Sequence, residues 1–181
     1  MISLPNLALI SGTGRNSGKT SIACALIAGF STKFPVYAVK ISPHFHDNSD
    51  ESQLIYNNLD FRIFEEKNKH LLKDSSRMLA AGAAKSYYIE CIDQLITPAF
   101  QKLLSSIPKD SAVICESPAL RTFIKPGVFI ITDNEKVVSK KDKIQIHFDI
   151  ADRFFDIFQD DLDELVSAIS FHQGKWTIKQ F

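Results

Sequence analysis

Near-continuous apolar runs alternate with polar turns and helical periods along this chain, a pattern that predicts a mostly parallel β-sheet with helical crossovers. The run Leu7-Ala8-Leu9-Ile10 predicts a strand over residues 6–11, covered on both faces. Helix-forming, mostly apolar residues occupy 18–30 and end at Gly29 and the polar Ser31-Thr32-Lys33. Pro35 through Ile41 predicts a second buried strand, and strand–helix–strand units of this kind build parallel sheets. Residues 47–58 read as a polar loop or mobile insertion, and residues 59–66 alternate in the manner of a half-exposed strand. A short helix is expected over 73–83, with Asp74 or Ser75 as N-cap, Arg77 on its solvent face and Gly82 as its stop.

Strands are expected at 87–91, 111–116 and 127–132, with a helix over 92–106 broken or kinked at Pro98. Beyond these come a charged connector at 136–143, a short edge strand at 144–148 and an amphipathic helix at 160–171. Asp160 and Asp161 suit the positive end of that helix, and Trp176 and Ile178 suit a last short strand or docking tail. Phe154, Phe155 and Phe158 read as core packing. The expected fold is a three-layer α/β/α arrangement around a mostly parallel central sheet, with the whole chain, 1–181, as one domain.

Ser11-Gly12-Thr13-Gly14-Arg15-Asn16-Ser17-Gly18-Lys19-Thr20, set between the first strand and the first helix, predicts that this α/β/α domain is a P-loop NTPase fold and that the whole chain is one nucleotide-binding domain. A Gly-rich turn that opens a helix presents successive backbone N–H groups to a phosphate, and the lysine reaches the terminal phosphates. The threonine hydroxyl is the Mg²⁺ ligand of such a loop, so residues 12–21, Ser21 included, are the candidate nucleotide contacts. Thr13 stands where the eight-residue pattern has its first glycine, but Gly12 and Gly14 flank it and leave the turn able to form.

Other candidates follow from strand ends, because ligands of open α/β sheets sit beyond the carboxyl ends of the strands. Lys40 ends the second strand and leads into Ser42-Pro43-His44-Phe45-His46-Asp47. His44, His46 and Asp47 read either as a substrate- or metal-contacting loop or as a polar surface loop. Glu116 ends an apolar strand, the usual place for a group that positions Mg²⁺ or water, although a fortuitous acidic strand end has the same appearance. Asp133 lies beyond a later strand.

Composition narrows the classes. Lys+Arg and Asp+Glu balance at 21 each, which gives no general attraction to nucleic acid or an anionic membrane. Cys24, Cys91 and Cys115 lie in apolar segments without C-x-x-C spacing and read as buried thiols of a reducing compartment. No apolar stretch approaches the roughly 20 residues of a membrane span, and no Lys or Arg precedes Arg15, so a cytoplasmic location is expected.

In combination, the loop of residues 12–20, Lys40 with His44 and His46 behind it, Lys73-Asp74-Ser75-Ser76-Arg77 followed by Ala81-Gly82-Ala83, and the strand-end Glu116 resemble the molybdopterin-guanine dinucleotide biosynthesis protein B (MobB) family. The resemblance spans roughly residues 6–118, and the segment from Asp74 to Ala83 is its most specific part. It implies a GTP-binding, Mg²⁺-dependent, dimeric α/β protein with weak hydrolysis, associated with a partner in molybdenum-cofactor guanylylation. Gly14, Gly18, Lys19 and Thr20 would hold phosphates and Mg²⁺, while Lys40, His46, Asp47, Asp74, Arg77 and Glu116 would line the same cleft.

Ile41-Ser42-Pro43 replaces the family's His-Thr-His, and Ser117-Pro118 replaces the glycine of its Val-Glu-Gly turn. The loop spacing, Lys40 and Glu116 are equally similar to dethiobiotin synthetase and cobyric-acid-type synthases, which use ATP to activate a carboxylate. A synthetase acting on a small carboxylate is therefore the alternative expectation, and a nucleotide-switched adaptor a third.

Overall fold

The computed structural model of the protein describes residues 1–14, 16–45, 53–133 and 147–179. Among them, eight strands form one sheet: β1 (Ile2–Gly12), β2 (Val36–Ser42), β3 (Leu54–Asn57), β4 (Phe61–Glu66), β5 (Lys85–Cys91), β6 (Ala112–Glu116), β7 (Ile124–Asp133) and β8 (Arg153–Asp156). Their spatial order is β3-β4-β5-β2-β6-β1-β7-β8. From β5 across to β8 every pairing is parallel, while β4 runs antiparallel to β5 and β3 antiparallel to β4. The helices are α1 (Lys19–Ser31), α2 (Asp74–Ala80), α3 (Ile96–Leu104) and α4 (Leu162–Ala168). A separate hairpin pairs β9 (Ile169–His172) with β10 (Lys175–Ile178).

Strand periodicity divides the apolar residues between two cores. Leu7 and Leu9 pack with Ile96, Ala99, Phe100 and Leu103 of α3. Ala8 and Ile10 pack with Ile22, Leu26, Ile27 and Phe30 of α1, Met78 of α2 and Leu165 of α4. The uninterrupted apolar run of β1 is thus explained by helices on both sheet faces. The result is an α/β fold with a large, mostly parallel central sheet flanked by helices, compatible with a three-layer arrangement. No helix among the described residues is long and apolar enough to cross a membrane.

Several expectations are corrected. The segment expected to be a loop or mobile insertion contains β3 from Leu54, whose backbone pairs with β4. Pro98 neither breaks nor kinks a long helix. A 3₁₀ turn at Asp93–Leu95 leads into α3, where Pro98 occupies the first turn and forfeits no intrahelical bond. The last helix stops at Ala168, because the next four residues pair with β10 and seat Trp176, fully buried, against Phe30 and Phe171. Asp161 is its N-cap, accepting from the amides of Asp163 and Glu164, which is worth about 1 kcal/mol.

Of the three phenylalanines expected in the core, only Phe155 is buried, since alternation along the edge strand β8 turns Phe154 outward and Phe158 lies beyond the strand. Cys91 and Cys115 are buried as expected, but Cys24 is half-buried. Phe148 begins a 3₁₀ turn, Phe148–Ile150, and is not in a strand; the charged connector and the start of the expected edge strand fall outside the described residues.

His147 is buried beside the edge of Phe129, its Nε2 lies 3.3 Å from the Thr122 hydroxyl, and burial together with the nearby Arg121 guanidinium lowers its pKa. The folded state therefore holds this imidazole neutral to lower pH than the unfolded chain does. Stability contributed in this way is full above about pH 6.5 and falls as pH drops through the folded pKa. A His147→Gln variant is expected to show a flatter dependence of melting temperature on pH between 8 and 5. Parallel profiles for the two proteins would remove this histidine as a source of acid sensitivity.

Candidate functional site

The carboxyl ends of the parallel strands all open on one edge of the sheet, and a cavity of about 490 Å³ lies there. It is lined by the loop between β1 and α1, by Lys40 through His44 at the end of β2 and just past it, by Asp74 and Arg77 of α2, by Glu116 and Pro118, and by Ile157.

Two glycines shape the loop. A Cβ on Gly12 would come within 2.2 Å of Ser17 Oγ and 2.4 Å of Thr132 Oγ1. Gly18, the N-cap of α1, has φ +87°, and a Cβ there would come within 2.0 Å of Ile157 Cγ2. Left-handed backbone and close packing both call for glycine at that position. Lys19 Nζ donates to the Gly14 carbonyl at 2.6 Å and to Ser17 Oγ at 3.0 Å, so its side chain folds across the turn.

The end of β7 supports the loop from below. The Thr13 amide donates to the Thr132 carbonyl, and the Thr13 hydroxyl donates to Asp133 Oδ1 at 2.6 Å. Thr132 Oγ1 lies 2.9 Å from Ser17 Oγ and donates to the Ser11 carbonyl. Thr13 in the first-glycine position is accounted for: its side chain is buried under the loop and does not line the cavity.

The charged centre comes from three separate segments. Parallel register sets Lys40 of β2 opposite Glu116 of β6, and their side chains reach Asp74 of α2 and Thr20 of α1, respectively. Lys40 Nζ lies 3.0 Å from Asp74 Oδ2 and also pairs with Glu116 Oε1. Thr20, in the first turn of α1, has its hydroxyl 2.9 Å from Asp74 Oδ1 and 2.8 Å from Glu116 Oε2. Glu116 is 1% exposed, Lys40 18% and Asp74 35%. Burial alone would lower the Lys40 pKa, but the carboxylates of Glu116 and Asp74 outweigh it and hold the ammonium charged above its ordinary range. Burial alone would raise Asp74, but Lys40, the Thr20 hydrogen bond and Arg77 hold it below the ordinary carboxylate range. Arg77 is half-exposed, with its Nη1 4.0 Å from Asp74.

The expectation that Asp74 or Ser75 caps α2 is corrected: Lys73 occupies the cap, the Ser75 hydroxyl donates to Glu66, and the Asp74 carboxylate turns to the buried ammonium and hydroxyl. Gly82, at φ +109°, ends the helix as expected. Serine after Glu116 has its own local role. Ser117 Oγ accepts from the amides of Ala119 and Leu120, which starts the 3₁₀ turn Leu120–Thr122.

Among the expected site residues, Gly12, Gly14, Asn16, Ser17, Gly18, Lys19, Thr20, Ser21, Lys40, His44, Asp74, Arg77 and Glu116 share the cavity. Arg15, His46 and Asp47 lie outside the described residues. Sequence reasoning missed Thr132 as a loop support and Ile157 as the wall over Gly18; their only signal was position at or just past a strand end. Among the described residues, no three His, Cys, Asp or Glu side chains gather. The donor set at Thr20 is therefore one hydroxyl and two carboxylates, hard oxygens that suit Mg²⁺. The single Thr20 proton serves one of two carboxylate oxygens at a time, so the other contact is left without its hydrogen and a cation there would relieve it.

No protein-family model matches the chain, and searches of curated proteins and of solved structures return no match either.

Proposed function

We propose that this chain is a cytoplasmic P-loop protein that binds a nucleoside triphosphate with Mg²⁺ and hydrolyses it slowly, GTP being the expected nucleotide. The observation that carries the reading is the convergence of Thr20 with Asp74 and Glu116, residues 54 and 96 positions away, directly behind a glycine-shaped loop and its lysine. Lys19 and the loop amides would hold the phosphates, and Thr20, Asp74 and Glu116 would hold the metal. Bound Mg²⁺ would supply charge neutralisation at the phosphates. Both carboxylates are engaged by Lys40 and Thr20, so neither is an unpaired base for water, which accords with slow turnover.

The MobB-like segment around Asp74 supports a role beside a guanylylating partner of the molybdenum cofactor, as a homodimer. A second reading has its own observation: the cavity continues past Lys40 to Ser42, Pro43 and His44, with Arg77 at its side, which leaves cationic room for a small carboxylate activated by ATP.

Calorimetric titration with GTP and ATP analogues, each with and without Mg²⁺, tests both. Tighter, Mg²⁺-dependent binding of GTP is expected. Preference for ATP, with phosphate release stimulated by a carboxylate, would move the assignment to the synthetase reaction. Failure of both nucleotides to bind would refute both readings.

A further inference from the structure

Lys40 fills one side of the two carboxylates that face Thr20. Each carboxylate is split in the same sense: Asp74 Oδ2 and Glu116 Oε1 face the ammonium, while Asp74 Oδ1 and Glu116 Oε2 face the Thr20 hydroxyl. Two carboxylates and one ammonium leave a formal charge of about −1 at the place a divalent ion would occupy, in contrast to −2 for the carboxylates alone. Arg77, 4.0 Å from Asp74 and half-exposed, adds a second and more screened positive charge on the side of Asp74 Oδ1. Mg²⁺ dehydrates reluctantly and is ordinarily held by one or two carboxylates together with substrate phosphate oxygens. A pair already neutralised in part, in a pocket where charges are weakly screened, is a poor site for the ion alone and a sufficient one once phosphate oxygens are added.

We propose that Lys40 is a resident cation that makes divalent-metal binding conditional on the nucleotide: it keeps the Asp74 and Glu116 carboxylates from taking a metal ion until a triphosphate supplies further oxygen ligands. The inference rests on the nucleotide-binding reading above. Its structural basis is the strand register, in which backbone pairing sets Lys40 opposite Glu116. Lys40 is thus a positioning residue for the metal and need not touch the reacting atoms. Two consequences follow: the metal and nucleotide bind with strong positive coupling, and the loss of the ammonium uncouples them.

Mn²⁺ is the probe: on the nucleotide-free full chain the free ion is counted by electron paramagnetic resonance, and with non-hydrolysable GTP and ATP analogues the Mn²⁺ retained with the protein is measured after gel filtration, because a triphosphate chelates the ion by itself. Nucleotide-free wild type should hold Mn²⁺ weakly. Lys40→Met should hold it about tenfold more tightly or better, since a unit charge this close shifts ion affinity by at least that factor even at an effective dielectric near 20. Lys40→Arg, which keeps the charge, should remain weak. Lys40→Gln gives the same comparison if the methionine variant does not fold.

Equal nucleotide-free affinities in wild type and the neutral variants, with Mn²⁺ retained by both when an analogue is present, would overturn the role of Lys40 and leave the nucleotide site standing. Tight Mn²⁺ binding by nucleotide-free wild type would do the same. If no protein retains Mn²⁺ with either analogue, the nucleotide-binding reading fails and this inference fails with it.

Discussion

Lys19→Ala is expected to weaken Mg²⁺-nucleotide binding by about 10- to 100-fold, on the basis of about 1.5–3 kcal/mol for hydrogen bonds to a charged group. Lys19 is placed for this by the helix start: one residue after the Gly18 cap, its Nζ reaches back to the Gly14 carbonyl and to Ser17 Oγ. Truncation removes the positive charge but leaves the supports beneath the loop, because Thr13, Thr132 and Asp133 hold it independently of Lys19. The variant should therefore melt close to wild type while losing affinity. Calorimetry and a thermal melt on the same preparation separate the two effects. Unchanged affinity in a folded variant would mean that the cavity is not the phosphate site.

Glu116→Ala is expected to be the most damaging single change to stability among the charged residues of the site, at about 3 kcal/mol. The side chain is 1% exposed and accepts from both Lys40 and Thr20, so its removal leaves an enclosed ammonium with Asp74 as its remaining carboxylate partner. Breaking one half of a buried ion pair costs more than removing both halves, because the surviving charge keeps its desolvation cost without its partner. The double variant Glu116→Ala with Lys40→Met should consequently recover part of the loss. Glu116→Gln, which keeps the shape, should cost less than alanine but still abolish Mg²⁺-dependent enhancement of nucleotide binding. Urea unfolding of wild type, Glu116→Ala, Lys40→Met and the double variant measures the coupling. A Glu116→Ala midpoint equal to that of wild type would show that this pair contributes nothing to the fold.

Much of the fold was legible because the responsible forces act over a few residues. Continuous apolar runs marked β1, β2, β6 and β7, since a strand covered on both faces has no polar side to show. Gly82 marked the end of α2 because left-handed backbone suits glycine. Failures came where distant pairing overrode local pattern. Ile169 continues the apolar spacing of α4, yet the chain turns into β9 because pairing with β10 lets Trp176 bury its whole side chain. Leu54 to Asn57 is a four-residue, mostly apolar run inside an otherwise polar stretch, too short to mark a strand until β4 offers it an open edge to pair with.

The site divides along the same line. Sequence by itself determined the glycine-shaped turn, the lysine and threonine that open α1, and the presence of Lys40 and Glu116 at strand ends, because these depend on neighbouring residues and on side-chain chemistry. Only the tertiary structure decided that Lys40 stands opposite Glu116, that Asp74 leaves its helix cap for Thr20 and Lys40, and that Thr132 and Asp133 brace the loop. Those contacts join residues tens of positions apart through the register of a parallel sheet, and that register emerges from the packing of two cores at once, not from any local run of residues.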